Sequence, residues 1–139
     1  MSVPGHKLER MFNPKTTVVI GDKSPNYMWL KNNQPFQEKG GNLYSVQIDE
    51  SEIKGIEELG FKNYTSLADI PEPIDYAIVA VPRHISPYVL NDLISVKAAS
   101  AAFFTSGFAE TNEELGIALQ KQLTEAAKTA NFNVIGPNC

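Results

Sequence analysis

A doubly wound α/β fold, with a mainly parallel sheet of five or six strands and helices on both faces, is what this sequence predicts. Two observations carry the prediction. Four short apolar runs each end abruptly in a polar turn containing Gly or Pro: 17–20 into Gly21-Asp22-Lys23-Ser24, 76–81 into Pro82-Arg83, 101–104 into Thr105-Ser106-Gly107-Phe108, and 132–135 into Gly136-Pro137-Asn138-Cys139. Continuous apolar runs suit strands buried on both faces, as in a parallel sheet covered by helices. Between them lie segments with helical spacing, so strands and helices alternate as in βαβ units with right-handed crossovers. Ligands of such sheets bind in the crevice outside the carboxyl ends of the strands. The four turns are therefore expected on one edge, around one site.

The elements follow in order. Lys7 to Met11 reads as a short leading helix or turn, broken at Asn13-Pro14 before the first strand. Asn26 is placed to cap a helix carrying Tyr27, Met28 and Leu30, which Pro35 ends or kinks. Gly40-Gly41 turns the chain into a second strand, Leu43 to Ile48. Ile53, Ile56 and Leu59 have helical spacing, with Gly60 as the stop. Phe61 to Tyr64 suits a short edge strand, and Ser66 to Asp69 a capped single turn. Ser86 is expected as an N-cap with Pro87 first in the helix, burying Val89, Leu90, Leu93 and Ile94. Thr111 with Glu114 forms a capping box for the longest helix, whose stripe is Leu115, Ala118, Leu119, Leu123, Ala126 and Ala130.

Bulk properties narrow the function. A chain of 139 residues is one ordinary domain, residues 1–139, burying roughly two-thirds of its unfolded surface. Hydrophobic content of 42% with 20% charged residues is globular composition. A net charge of −4 argues against nucleic acid or an anionic membrane as partner. No apolar stretch reaches a membrane span, and the first residues lack a signal-peptide core. The single cysteine, Cys139, excludes an internal disulfide and fits a reducing cytoplasm. His6 and His84 with one cysteine are too few for a metal cluster, and His84 is expected at the surface. The last turn stands where such a fold would continue, so the C-terminus reads as a boundary cut.

The first turn, Gly21 to Asn26, occupies the phosphate-loop position of a nucleotide-binding βαβ unit. Lys23 adds a charge and Ser24 a hydroxyl. The G-x-G-x-x-G pattern is incomplete, with Lys23 and Asn26 where the second and third glycines fall, which counts against NAD. Asn26 tolerates a left-handed backbone in place of a glycine. A loop that merely closes a βα unit is the alternative at this stage. Tyr27 and Trp29 are expected to pack in the core and not to stack on a base. Asp75, just before a strand, is expected at the edge opposite the site.

Longer motifs then carry a resemblance. They are 8–15 with Val18-Val19-Ile20-Gly21, 64–71, 74–82, Ser106-Gly107-Phe108-Ala109-Glu110, and Val134-Ile135-Gly136-Pro137-Asn138-Cys139. Together these span essentially the whole chain, which resembles the N-terminal CoA-binding domain of the nucleoside-diphosphate-forming acyl-CoA synthetases, the family of the succinyl-CoA synthetase α subunit. The resemblance implies a CoA-binding module of an ADP-forming ligase, with CoA or acyl-CoA as ligand and further synthetase domains or subunits as partners. It implies contacts from Gly21, Asp22, Lys23, Ser24, Asn26, Val81, Pro82, Arg83, Phe104, Thr105, Ser106 and Gly107. It implies no catalytic residue here, because the family's phosphohistidine lies in a domain this chain lacks. The family carries Asn-Pro-Lys after its second strand, whereas this chain has Gln47-Ile48-Asp49. An acidic residue there holds ribose hydroxyls in NAD enzymes. An NAD-binding oxidoreductase module is therefore one alternative, beside a standalone regulatory CoA-binding protein and a degenerate domain that binds nothing and only supports assembly.

Overall fold

A computed structural model describes residues 7–104, 114–130 and 132–135. Its sheet has six strands: β1 (Thr16–Ile20), β2 (Asn42–Val46), β3 (Lys62–Tyr64), β4 (Tyr76–Val79), β5 (Ser100–Phe103) and β6 (Asn133–Ile135). They lie in the order β3-β2-β1-β4-β5-β6, and every adjacent pair is parallel. The helices are α1 (Lys7–Phe12), α2 (Met28–Asn32), α3 (Gln34–Glu38), α4 (Glu50–Glu58), α5 (Ser86–Ser95) and α6 (Glu114–Ala130), with a 3-10 turn at Leu67–Asp69. The order reverses at β1, which sits between β2 and β4. A crevice therefore opens at its carboxyl end, where such sheets bind ligands. Because the strands are parallel, the turns after β1 and β4 share one edge. Ser106 and Gly136, the other two expected turns, lie outside the described residues.

The central strands are buried on both faces, which is why their sequences run apolar without alternation. Val19, Leu43 and Ile78 pack one face against Tyr27, Leu30, Ile56 and Phe61. Val18, Ile20, Val46, Ala77, Val79, Ala101 and Phe103 build the other core with Leu90 and Leu93 of α5 and Leu123 and Ala127 of α6. Burying each such Leu contributes about 1.5–3 kcal/mol. Ala118 of the expected α6 stripe is exposed instead. It faces an open groove beside Lys121 and Gln122, so the buried side of α6 passes through Leu123 and Ala127.

Three local expectations change. Asn26 does not cap α2. The N-cap position is Tyr27, in the left-handed conformation (φ 45°) that the sequence assigned to Asn26, and its side chain makes no cap bond. The orphan amide of Leu30 is instead taken by Asp22 Oδ2 at 2.8 Å, so a residue reaching back across the turn satisfies the helix end. Ser86 is not an N-cap either. The turn from Pro82 already runs into α5, with Ile85 at the cap position, and the buried Ser86 hydroxyl points back to the Pro82 carbonyl oxygen, 3.5 Å away. The second strand ends at Val46; Gln47 N still donates to the Tyr64 carbonyl oxygen at 3.2 Å, but the Gln47 carbonyl oxygen accepts from the Asn63 side chain. Asp49 takes the N-cap of α4, accepting from Ser51 N at 3.0 Å.

Asp75 lies at the amino edge, as the sequence placed it. Its Oδ1 meets Arg10 Nε at 2.6 Å, and its Oδ2 accepts from the amides of Lys15 and Thr16. The carboxylate thereby fastens α1 and the entry to β1 beneath β4. On the same side of the sheet as α5, Tyr44 of β2 stacks edge-on against Tyr64 and donates its hydroxyl to the Glu72 carboxylate. That hydrogen bond, with burial adding to it, pushes the Tyr44 phenol from 10.0 up to about 12. The unfolded phenol loses its proton first, so the stabilisation is complete below pH 10 and lost as pH rises toward 12. Urea unfolding of Tyr44→Phe and of the parent should therefore differ most below pH 10. Their midpoints should converge as pH approaches 12; a constant gap would show that the contribution of the hydroxyl does not depend on its proton.

Candidate functional site

The first turn is shaped from beneath. Gly21 follows β1 with φ +86°, and a Cβ there would lie 2.7 Å from Val81 Cγ1 and 2.9 Å from the Ala80 carbonyl oxygen. Only glycine lets the ends of β1 and β4 approach so closely. Asp22 then turns inward and is buried. Its Oδ1 accepts from Lys23 N at 3.1 Å and its Oδ2 from Leu30 N. Burial pushes the Asp22 carboxyl above its usual range, the backbone amides of Leu30, Lys23 and Trp29 draw it back, and the neighbouring Glu52 charge adds a smaller upward push.

Gln47 braces the turn from β2. Its Nε2 donates to the Asp22 carbonyl oxygen at 2.9 Å, while its Oε1 accepts from Ile48 N and Asp49 N. Asn63 Nδ2 donates in turn to the Gln47 carbonyl oxygen. The carboxyl ends of β1, β2 and β3 are thus joined by side-chain amides and a carboxylate bonded to backbone, with Asn63 Oδ1 alone among these side-chain atoms buried without a partner.

Beside this brace opens a cleft of about 400 Å3. Ile20, Gly21 and Val46 form its floor, Gln47 and Ile48 one rim, Thr65 to Ala68 a second, and Val81 with Ile85, Val89 and Asp92 the α5 wall. It lies on the α5 side because only the 3-10 turn, and no full helix, covers β1 and β2 there. Its size is that of an ordinary small-molecule site. Ile48 is 76% exposed at its mouth.

The residues singled out from sequence divide into groups. Gly21 and Val81 line the cleft. Asp22 is buried beneath the turn and presents no free carboxylate to solvent. Lys23, Ser24 and Asn26 are exposed on the turn's outer side. Pro82 is exposed, and Arg83 half-buried, in the turn that leads into α5. Phe104 stacks on Trp29, ring centroids 4.3 Å apart, on the α2 side of the sheet and away from the cleft. Thr105, Ser106 and Gly107 lie outside the described residues. Tyr27 is buried and His84 exposed, as expected. Asp49 is exposed; its bonds from Ser51 hold its carboxyl below the usual range, and the Lys23 charge adds slightly. The sequence reading missed Gln47, Ile48, Glu52 and Ile85. For Gln47 and Ile48 a signal existed, their place at the end of the second strand, beside the more conspicuous charge of Asp49. Glu52 carried none, since its partners lie 28 and 25 residues away. Among the described residues no cluster of side chains suits a metal ion.

Comparison with known proteins adds a family to this geometry. Residues 15–139 match the model of the CoA binding domain family. The chain belongs to that family. It is 35% identical over 136 residues to the α subunit of the ADP-forming acetate–CoA ligase II of Pyrococcus furiosus, covering 95% of this chain and 28% of the relative. It is 31% identical to a trans-feruloyl-CoA synthase, again over 96% of this chain but 18% of the relative. The chain thus spans less than a third of the curated relatives it matches. Among solved structures, PH0766 of Pyrococcus horikoshii OT3 superposes with a TM-score of 0.81 at 35% identity over 95% of this chain and 29% of the other. The dinucleotide-forming acetyl-coenzyme A synthetase 1 of Ca. Korarchaeum cryptofilum, in complex with phosphate and ADP, gives 0.78 at 27% over 94% and 27%. A putative oxidoreductase of Mycobacterium avium 104, at 14% identity, shares the fold alone.

In this CoA-binding domain the Gly21 contact joins the turn to the cleft. Gly21→Ala should lower stability by more than about 1 kcal/mol, because alanine disfavours the positive φ and its methyl displaces Val81. Chemical denaturation checks this. A midpoint equal to the parent's would show that the β1 and β4 ends are not in fixed contact.

Proposed function

We propose that this chain holds CoA in the cleft at the carboxyl edge, as the CoA-binding module of an ADP-forming acyl-CoA synthetase. The observation that carries the reading is the coincidence of that cleft with the topological switch point in a member of the CoA-binding domain family. The aliphatic floor of Ile20 and Val46 and the wall of Val81 suit a flat purine, and Ile48 at the mouth would lose its exposure on contact. Gln47 fixes the rim in one geometry, so the site is pre-organised and little ordering accompanies binding.

In the intact enzyme the overall reaction would be acid plus CoA plus ATP giving acyl-CoA, ADP and phosphate. This chain's part is to bind CoA and direct its thiol toward an acyl phosphate formed elsewhere. Further synthetase domains or subunits are the implied partners, in keeping with the share of the ligases that this chain spans. The acid is left open by the relatives, named for acetate, ferulate and 4-hydroxybutyrate. Among the described residues no helix is long and apolar enough to cross a membrane. A cytoplasmic setting belongs to the proposal and rests on the single cysteine. The NAD alternative finds no support in the relatives, which are CoA ligases and synthases.

A thermal-shift panel of CoA, acetyl-CoA, NAD and ATP tests the reading. CoA at 100 times its dissociation constant should stabilise the fold by about 2.7 kcal/mol, and NAD should shift it little. A larger shift with NAD would reverse the assignment. Asp49 adds a second check. Asp49→Asn keeps an oxygen for the α4 cap while removing a charge near Lys23, so CoA should bind a few-fold tighter at low salt and less so at high salt. Unchanged affinity at both would place the phosphates away from Asp49.

A further inference from the structure

Glu52 lies in the first turn of α4, yet its side chain crosses to the loop after β1. Its Oε1 accepts from the Ser24 amide at 3.1 Å and from the Tyr27 hydroxyl at 3.0 Å, and its Oε2 from the Ser24 hydroxyl at 3.3 Å. Asp22 already holds the amides of Lys23 and Leu30. The two carboxylates between them occupy the first-turn amides and hydroxyls of Lys23, Ser24, Tyr27 and Leu30. Carboxylate and phosphate oxygens seek the same donors with similar charge-assisted strength. A further carboxylate, Asp49, faces Glu52 from the start of α4, and Lys23 is the neighbouring cation.

We infer that Glu52 is a specificity-determining residue of the proposed site, an internal anion that competes with the ligand's phosphates for the first turn. The inference rests on the CoA-binding reading and deepens it. A phosphate approaching Ser24 meets a carboxylate on its donors, so it either displaces Glu52 or settles elsewhere along the cleft. Neutral parts of the ligand are untouched by this competition. The arrangement is built to hold: a Cβ on Gly55, one turn along α4, would collide with the Tyr27 hydroxyl, so glycine there admits the ring that completes the seat. A side chain that only ties α4 to the loop would have the same bonds without the electrostatic consequence, and charge is therefore what the test must vary.

Glu52→Gln keeps the volume and one oxygen for the Ser24 amide or the Tyr27 hydroxyl while removing the charge; Glu52→Ala removes the occupant altogether. Glu57→Gln, on the exposed side of the same helix, controls for net charge. Calorimetric titrations would use CoA and adenosine, which shares the base and sugar but carries no phosphate. The expected result is CoA binding about three- to tenfold tighter in Glu52→Gln at low ionic strength, with the gain shrinking in salt. Adenosine affinity should stay unchanged and Glu57→Gln should behave as the parent. CoA binding that appears only in the Glu52 variants would support the inference equally. CoA affinity unchanged or weakened in Glu52→Gln, with the parent still binding, overturns it and leaves the CoA reading standing. An equal gain for adenosine also overturns it, because the pocket has then been reshaped and not discharged. If no form binds CoA, the functional reading falls and this inference with it.

Discussion

A buried carboxylate sets the geometry of the carboxyl edge. Taking Asp22 out of water is costly unless its oxygens are bonded, and two backbone amides of the segment it precedes supply the bonds. The consequence is directional. The chain must fold back over its own first turn so that Leu30 reaches Asp22, which fixes where α2 begins and throws Lys23, Ser24 and Asn26 outward. Gln47 then fastens this turn to β2, and Gly21 fastens it to β4. Remove the carboxylate and the amides of Lys23 in the turn and Leu30 in α2 both lose this partner.

The opposite edge uses the same physics for a different end. Asp75 also satisfies two backbone amides, but it faces Arg10 and ties a helix across the bottom of the sheet. Charge at the amino edge is spent on closure, and charge at the carboxyl edge on shaping a turn beside an open cleft. The cleft exists because the link between β3 and β4 is a single 3-10 turn where a full helix would have filled the space above β1 and β2. Function and fold meet in that missing helix.

Much of this was legible in the sequence, for reasons that are local. The strands of a doubly covered parallel sheet must be apolar throughout, so 17–20, 76–81 and 101–104 announced themselves. Gly21 and Gly60 punctuated the chain where the structure has positive φ. The Ser66 cap was found because its partner is two residues away. What sequence did not yield was set by distant partners. Asn26 was the better left-handed residue by propensity, but Tyr27 takes that conformation because its ring fits against Gly55 and its hydroxyl finds Glu52. Phe104 follows a strand at the right edge, as the family pattern implied, yet Trp29 on the other face holds its ring. Gln47 reads as an ordinary strand residue, but its side-chain amide ties the Asp22 turn to the chain entering α4.

The account stands on where the ligand sits. Amide chemical-shift mapping of the isotopically labelled protein titrated with CoA addresses this without altering any residue. The largest shifts should fall on Gly21, Val46, Gln47, Ile48, Val81 and Ile85, with little change at Arg10, Thr16 or Asn42. Shifts concentrated on that second group, around the Asp75 and Arg10 pair at the amino edge, would place CoA on the wrong side of the sheet and contradict the account.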